Sequence, residues 1–346
     1  MRSALLVVVL VAAQAHAENR SLTAVPGVKV GHFTLTERPT GCTVILVEAG
    51  AVAGVDVRGG APGTRETDLL RPENIVAQVH AIALSGGSAF GLDTAGGVMR
   101  YLEEKGVGFD VGVAHVPIVP AAVIFDLPVG GKPGVRPGAD CGYRAAQAAT
   151  SGAVAEGNVG AGAGATVGKS AGMAQAMKAG IGTASITTAD GLIVAALAVV
   201  NAAGDVIDPA TGRVVAGMRT PDGKGFADAR TIARAGRFGM SYQSPRPVEN
   251  TTLGVIATNA ALTKAQAQKV AQMAQDGLAR AISPAHTPVD GDTIFTIATG
   301  GRAGEANVGQ IGALAAEVMA DAILRGASQA TGLPGLPAAR DLQPRP

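Results

Sequence analysis

Through the first two thirds of the chain, apolar positions come in short runs broken by glycine and proline, and long helical periods appear only near the C-terminal end. Short β-branched runs bounded by turn residues predict strands at 27–32, 42–47, 53–57 and 81–84, with a Gly-rich loop at 58–64. Ser85-Gly86-Gly87-Ser88 opens a small-residue helix reaching residue 105, and two prolines in 107–124 with β-branched pairs favour strands and turns. A short helix at 142–150 carries Tyr143, and 157–172 reads as a Gly/Ala-rich loop. Two apolar runs, 180–188 and 192–201, flank Ala189-Asp190-Gly191, which predicts a hairpin. Residues 208–249 lack periodicity and read as a long exposed connection. Beyond it the pattern sharpens into a strand at 251–259, a helix at 264–282 capped by Thr263, a strand at 292–299 and a helix at 304–327. That last helix carries Val308, Ile311, Leu314, Val318, Ala322 and Leu324 along one stripe. The Pro-rich tail, 332–346, is expected to be disordered, and no fixed-period repeat is visible.

Composition narrows the fold. Of 346 residues, 47% are apolar but only 3% aromatic, and 49 are glycine, so the core is built from small aliphatic side chains. Such residues suit closely stacked α/β layers in one large domain. Lys and Arg number 28 against 27 Asp and Glu, which leaves no basic field for a nucleic-acid backbone. Met1-Arg2-Ser3, an apolar run at 4–13 and Ala15-His16-Ala17 meet the pattern of a secretory signal peptide over residues 1–17. A periplasmic or secreted protein is expected, with no membrane attachment once the signal is removed. Cys42 and Cys141 leave open either one disulfide or two buried thiols. His32, His80, His115 and His286 are scattered singly, so neither a metal nor another cofactor is expected.

Three stretches compete for the chemistry. Ala163-Gly164-Ala165-Thr166-Val167-Gly168-Lys169-Ser170 meets a loosened phosphate-loop pattern, but no apolar strand precedes it, so nucleotide binding is disfavoured. Gly86-Gly87-Ser88-Ala89-Phe90-Gly91 lacks the spacing of a nucleophile elbow and is read as a helix start. Asn250-Thr251-Thr252 opens a strand and would by itself be an ordinary strand start. Its weight changes with Asp290-Gly291-Asp292, two carboxylates close enough to grip an ammonium or shift each other's pKa.

At these residues the chain resembles the DmpA-type aminopeptidase family, which includes β-peptidyl aminopeptidases and nylon-oligomer hydrolases. The likeness runs in order through 27–32, 56–70, 85–92, 157–162, Asn250-Thr251-Thr252 and Asp290-Gly291-Asp292. It implies a four-layer αββα sandwich of the N-terminal-nucleophile type, made as one precursor that cuts itself at Asn250-Thr251. The α chain would be 18–250 and the β chain 251–346, the two staying associated in a homo-oligomer of αβ units. The resemblance makes Thr251 the nucleophile, Asn201 the oxyanion-hole side chain, Tyr143 the tyrosine near the substrate amine, and Asp290 and Asp292 the pair that orients the nucleophile. Lys169 matches a lysine of the nylon-oligomer hydrolases, and the two aspartates stand where aminopeptidase members often carry Ser and Glu.

The chemistry follows without a histidine. A freed Thr251 carries an α-amine of pKa about 7.7 to 8.0 beside its own hydroxyl and can take that hydroxyl's proton. The expected activity is release of N-terminal residues from small peptides, amides or β-peptides. Internal cleavage of 6-aminohexanoate oligomers is the alternative. An acyltransferase is disfavoured by the signal peptide, and a non-catalytic binding protein would stay uncut.

Overall fold

The computed structural model describes residues 19–236 and 250–342. The signal peptide expected over residues 1–17 lies outside them. Nine strands form the main sheet: β1 Lys29–Thr34, β2 Gly41–Val57, β3 Thr64–Arg65, β4 Val79–Ser85, β5 Ala121–Val123, β6 Ile181–Thr187, β7 Ile193–Val199, β8 Leu253–Thr258 and β9 Thr293–Ala298. Its order is β6-β7-β8-β9-β2-β4-β5-β3, with β1 pairing β2. The 17-residue β2 belongs to two sheets: its first part pairs with β1 and β4, its last six residues with β9. The sequence reads β2 as two strands because Glu48, Ala49 and Gly50 interrupt the apolar run. The register shift against β4 falls between Leu46 and Ala51, over that interruption.

Side-chain alternation along the strands generates the layers. Cys42, Val44 and Leu46 of β2 join Ala81 and Ala83 in a core against two helices, α1 Thr94–Glu103 and α2 Ala139–Gln147. The other face of β2, with Ile45 and Val47, meets Leu197, Val199, Leu253, Val255, Phe295 and Ile297 in a core between the two sheets. On the far side Val194, Ala196, Ile256 and Ile294 pack on α3 Lys264–Ala281 and α4 Val308–Ser328. The order of layers is therefore helix, sheet, sheet, helix, the four-layer αββα sandwich expected.

The helices α3 and α4 begin close to where the sequence puts them. The Thr263 side chain accepts from the Gln266 N–H while Gln266 reaches back, and Asn307 accepts from the Gln310 N–H. In α4 the inward face is Ile311, Ala315, Val318, Met319, Ala322 and Ile323, so Leu314 and Leu324 are only partly buried at its flank. Glycine permits the tightest helix contact: a Cβ at Gly97 of α1 would stand 1.6 Å from the Ala139 carbonyl oxygen of α2. Cys42 and Cys141 form a disulfide joining β2 to α2, which settles the choice the sequence left open.

Two expectations are corrected. Residues 208–236 carry structure: Val214–Ala216 pairs with Asp205–Ile207, and Ala229–Arg234 is a short helix whose Ala229 N–H donates to buried Asp205. Residues 237–249 lie outside the described residues. The tail is packed up to residue 342: Leu336 is buried against Val129 and Ala176, Ala339 joins the core beneath α4, and the Lys178 N–H donates to the Pro337 carbonyl at 2.8 Å. Among the described residues no helix is long and apolar enough to cross a membrane.

Candidate active site

Sheet topology brings the candidate residues to one end of the inner sheet that holds β8. Residues 251 and 252 lead directly into β8. Asn201 follows β7, which runs antiparallel to β8 with Val199 opposite Leu253. Asp290 and Asp292 precede β9, which runs parallel to β8 with Leu253 opposite Thr293. A bridge between Asn250 and Asp290 extends that parallel pairing into the loops.

Thr251 is 4% exposed. Its hydroxyl donates to the Asn250 carbonyl at 2.6 Å, and its N–H donates to the Asn201 carbonyl at 3.1 Å. The Asn250 carbonyl also accepts from Gly291 N–H at 2.7 Å. The Asn250 carbonyl thus touches both the Thr251 hydroxyl and a backbone donor.

Lys169 is buried with its Nζ 3.0 Å from the Asn201 backbone oxygen and 2.9 Å from its Oδ1. Thr166 N–H donates to the same Oδ1 at 3.0 Å, and the Asn201 Nδ2 donates to the Phe125 carbonyl at 3.2 Å. One Nδ2 hydrogen is left to meet a developing oxyanion. Burial pulls the Lys169 ammonium down to about 7, against the opposing pull of Asp290, Asp126 and Asp292. Lys169 is sealed inside protein and held by Asn201, so the loosened phosphate-loop pattern cradles no phosphate here.

The two aspartates have separate partners. Asp292 accepts from Thr252 N–H at 2.8 Å and from His286 N–H at 3.0 Å, with the His286 Nδ1 also 3.0 Å away. Asp290 accepts from the N–H and hydroxyl of Thr287, while its Oδ1 is buried with no partner among the described residues. Burial, and then the charge of Asp292, push the Asp290 carboxyl up to about 6. Residue types alone gave no sign of Thr166, Phe125, Thr287 or His286 as partners here, because each contributes through a backbone group, alone or together with its side chain.

Tyr143, expected near the substrate amine, is not brought to this cluster. It lies in α2 on the outer layer, where its hydroxyl donates to Glu104 at 2.7 Å and Arg100 stacks on its ring at 4.6 Å. Ser88 takes φ 56° just after β4, yet no imidazole or carboxylate bonds its hydroxyl among the described residues. It remains a helix start. No group of His, Cys, Asp or Glu side chains able to hold a metal occurs among the described residues.

The profile of peptidase family S58 matches residues 20–339. The chain belongs to that family. An uncharacterized aminopeptidase of Mycobacterium tuberculosis is 46% identical over 94% of this chain and 98% of its own. A 6-aminohexanoate-oligomer endohydrolase of Kocuria sp. is 33% identical over 87% and 84%. Among solved structures, a Burkholderia sp. β-aminopeptidase superimposes with a TM-score of 0.67 at 25% identity, covering 95% of each chain. The L-aminopeptidase D-Ala-esterase/amidase of Ochrobactrum anthropi, described as a variant of the Ntn-hydrolase fold, reaches 0.67 at 17% identity and covers 92% and 91%. The chain therefore has the Ntn-hydrolase-like fold and is a hydrolase of the peptidase class, as its resemblance to the DmpA-type family implies.

Proposed function

We propose that this S58 hydrolase cuts its own Asn250-Thr251 bond and that the freed Thr251 then hydrolyses amide bonds, releasing N-terminal residues from small peptides, amides or β-peptides. The observation that carries the reading is the contact of the Thr251 hydroxyl with the carbonyl of its own preceding peptide, 2.6 Å away in a site closed to water. Attack through that hydroxyl converts the amide to an ester and frees the Thr251 amine, and hydrolysis of the ester by water then completes the cut between the two chains and restores the hydroxyl. Held near the Asn201 carbonyl, the amine takes the hydroxyl proton in each later turnover. Asn201 donates to the tetrahedral oxyanion, Lys169 supplies a neutral amine near pH 7, and Asp290 and Asp292 hold the loop against the strand start.

Intact mass of the wild type beside Thr251→Ala tests the first step. Two chains, the smaller beginning at Thr251, are expected from the wild type and one from the variant. Cleavage of aminoacyl and β-aminoacyl p-nitroanilides by the wild type tests the second, and silence across that panel counts against it. Internal cleavage of linear 6-aminohexanoate oligomers is the second reading. It is favoured by relatives of that name at 33% identity, and product sizing separates internal from terminal cuts. Export through the N-terminal signal and assembly into a homo-oligomer of αβ units belong to the same proposal.

A further inference from the structure

We infer that the Gly-rich loop at 58–63 has a catalytic purpose: it braces the Asp290-Gly291 peptide so that Gly291 N–H serves as the oxyanion donor for self-cleavage. The inference rests on the proposed self-cleavage at Thr251 and adds a group that stabilises its transition state.

The donor is already placed. Gly291 N–H meets the Asn250 carbonyl oxygen at 2.7 Å, the atom on which negative charge develops when Thr251 Oγ1 attacks the adjoining carbon. In that step the Oγ1–C bond forms and the carbonyl π pair moves onto oxygen. Collapse then breaks the C–N bond, and the hydroxyl proton ends on the Thr251 nitrogen, leaving an ester and a free amine. The Asn201 Nδ2 donates to the Phe125 carbonyl and not to this one, so its second hydrogen is kept for the oxyanion of the later reaction while Gly291 serves self-cleavage.

The peptide that carries the Gly291 N–H is itself polarised from behind. Its carbonyl, on Asp290, accepts from Ala61 N–H at 2.7 Å, and a hydrogen bond at one end of a peptide strengthens the donor at the other. Flanking bonds fix the register: Arg58 N–H to the Asp292 carbonyl at 3.0 Å and Gly60 N–H to the Thr287 carbonyl at 3.2 Å. Sterics explain the glycines. A Cβ at Gly59 would lie 2.1 Å from the Asp290 oxygen, so only glycine lets the loop close on that peptide. A Cβ at Gly291 would stand 2.6 Å from Thr251 Oγ1 and occupy the space the nucleophile uses. Ala61 acts through the Asp290-Gly291 peptide and is a positioning residue, whereas Gly291 touches the reacting atom.

The test follows cutting of the full-length chain after a cell-free synthesis pulse, with and without hydroxylamine, which cleaves the ester but not the amide. Gly291→Pro, which has no N–H to donate, is expected to slow cutting by about 10²- to 10³-fold, the usual effect of losing one oxyanion donor. Ala61→Pro, which deletes only the bracing N–H, is expected to slow it by about 5- to 10-fold, the worth of one ordinary hydrogen bond. Hydroxylamine should restore neither rate, because the step before the ester is the one impaired. Should Gly291→Pro fail to fold, Ala61→Pro decides alone. Cutting of Ala61→Pro at the wild-type rate, or full rescue by hydroxylamine, overturns the inference while leaving Thr251 as nucleophile. Normal cutting of Thr251→Ala overturns the nucleophile assignment and this inference with it.

Discussion

Lys169 is the residue whose ionisation most directly meets the chemistry. Burial lowers its pKa to about 7, so the ammonium loses its proton as pH rises through neutrality and the neutral amine is the form able to accept one. Self-cleavage is therefore expected to accelerate with pH up to about 7 and level off above it, and Lys169→Met to flatten that limb and slow cutting. Time courses of the uncut fraction across that pH range check this, and an unchanged limb in the variant would move the role to Asp290, which titrates near 6. At this scale the sequence was informative where a motif carries its own chemistry. Asn250-Thr251-Thr252, Asp290-Gly291-Asp292, Asn201 and Lys169 all reach the same sheet end. Tyr143 did not, and its helix says why: Cys141, Gly142, Ala145 and Ala146 form the buried face, a spacing that turns position 143 outward. That period is legible in the sequence itself.

Among the elements, β2 and α2 are the pair tied covalently, by the Cys42–Cys141 disulfide across a sequence separation of 99. A crosslink closing a loop of that length is worth about 4 to 5 kcal/mol through the entropy of the unfolded chain. Replacing both cysteines by alanine, in the Thr251→Ala background so that a single chain unfolds, is expected to lower the urea stability by that order. Self-cleavage of the double variant with Thr251 intact should persist, since the crosslink lies in the outer layer that α1 and α2 cover, away from the strand ends that hold Thr251. Loss of cutting would mean that the outer layer governs the site. Long periodic elements were legible from the pattern, as α3 and α4 show with caps at Thr263 and Asn307. The continuity of β2 was not, because its exposed middle at Glu48 to Gly50 reads as a turn and only pairing with β4 and β9 on either side reveals one strand. Likewise Val214–Ala216 gains its strand from β pairing with 205–207, a contact that local periodicity does not report.

For the whole molecule, the decisive feature is where the expected cut falls in the layers. The segment from Thr251 onward supplies β8 and β9, which lie side by side in the interior of the sheet order, together with α3 and α4, the entire helical layer packed on that sheet. Strand β8 remains paired with β7 from the first segment, and β9 with β2. Removing the second segment would strip the inter-sheet core of Leu253, Val255, Phe295 and Ile297 and uncover the faces of β6 and β7 that α4 covers. Burial of such side chains is worth about 1.5 to 3 kcal/mol each, so a break of one peptide bond at the rim of the sheet cannot release the smaller chain. The two products are expected to co-elute in equal amounts on native size exclusion and to separate only in denaturant. A smaller chain that drifts off under native conditions would contradict the layered packing itself, since the cut leaves every strand pairing and both helix contacts intact.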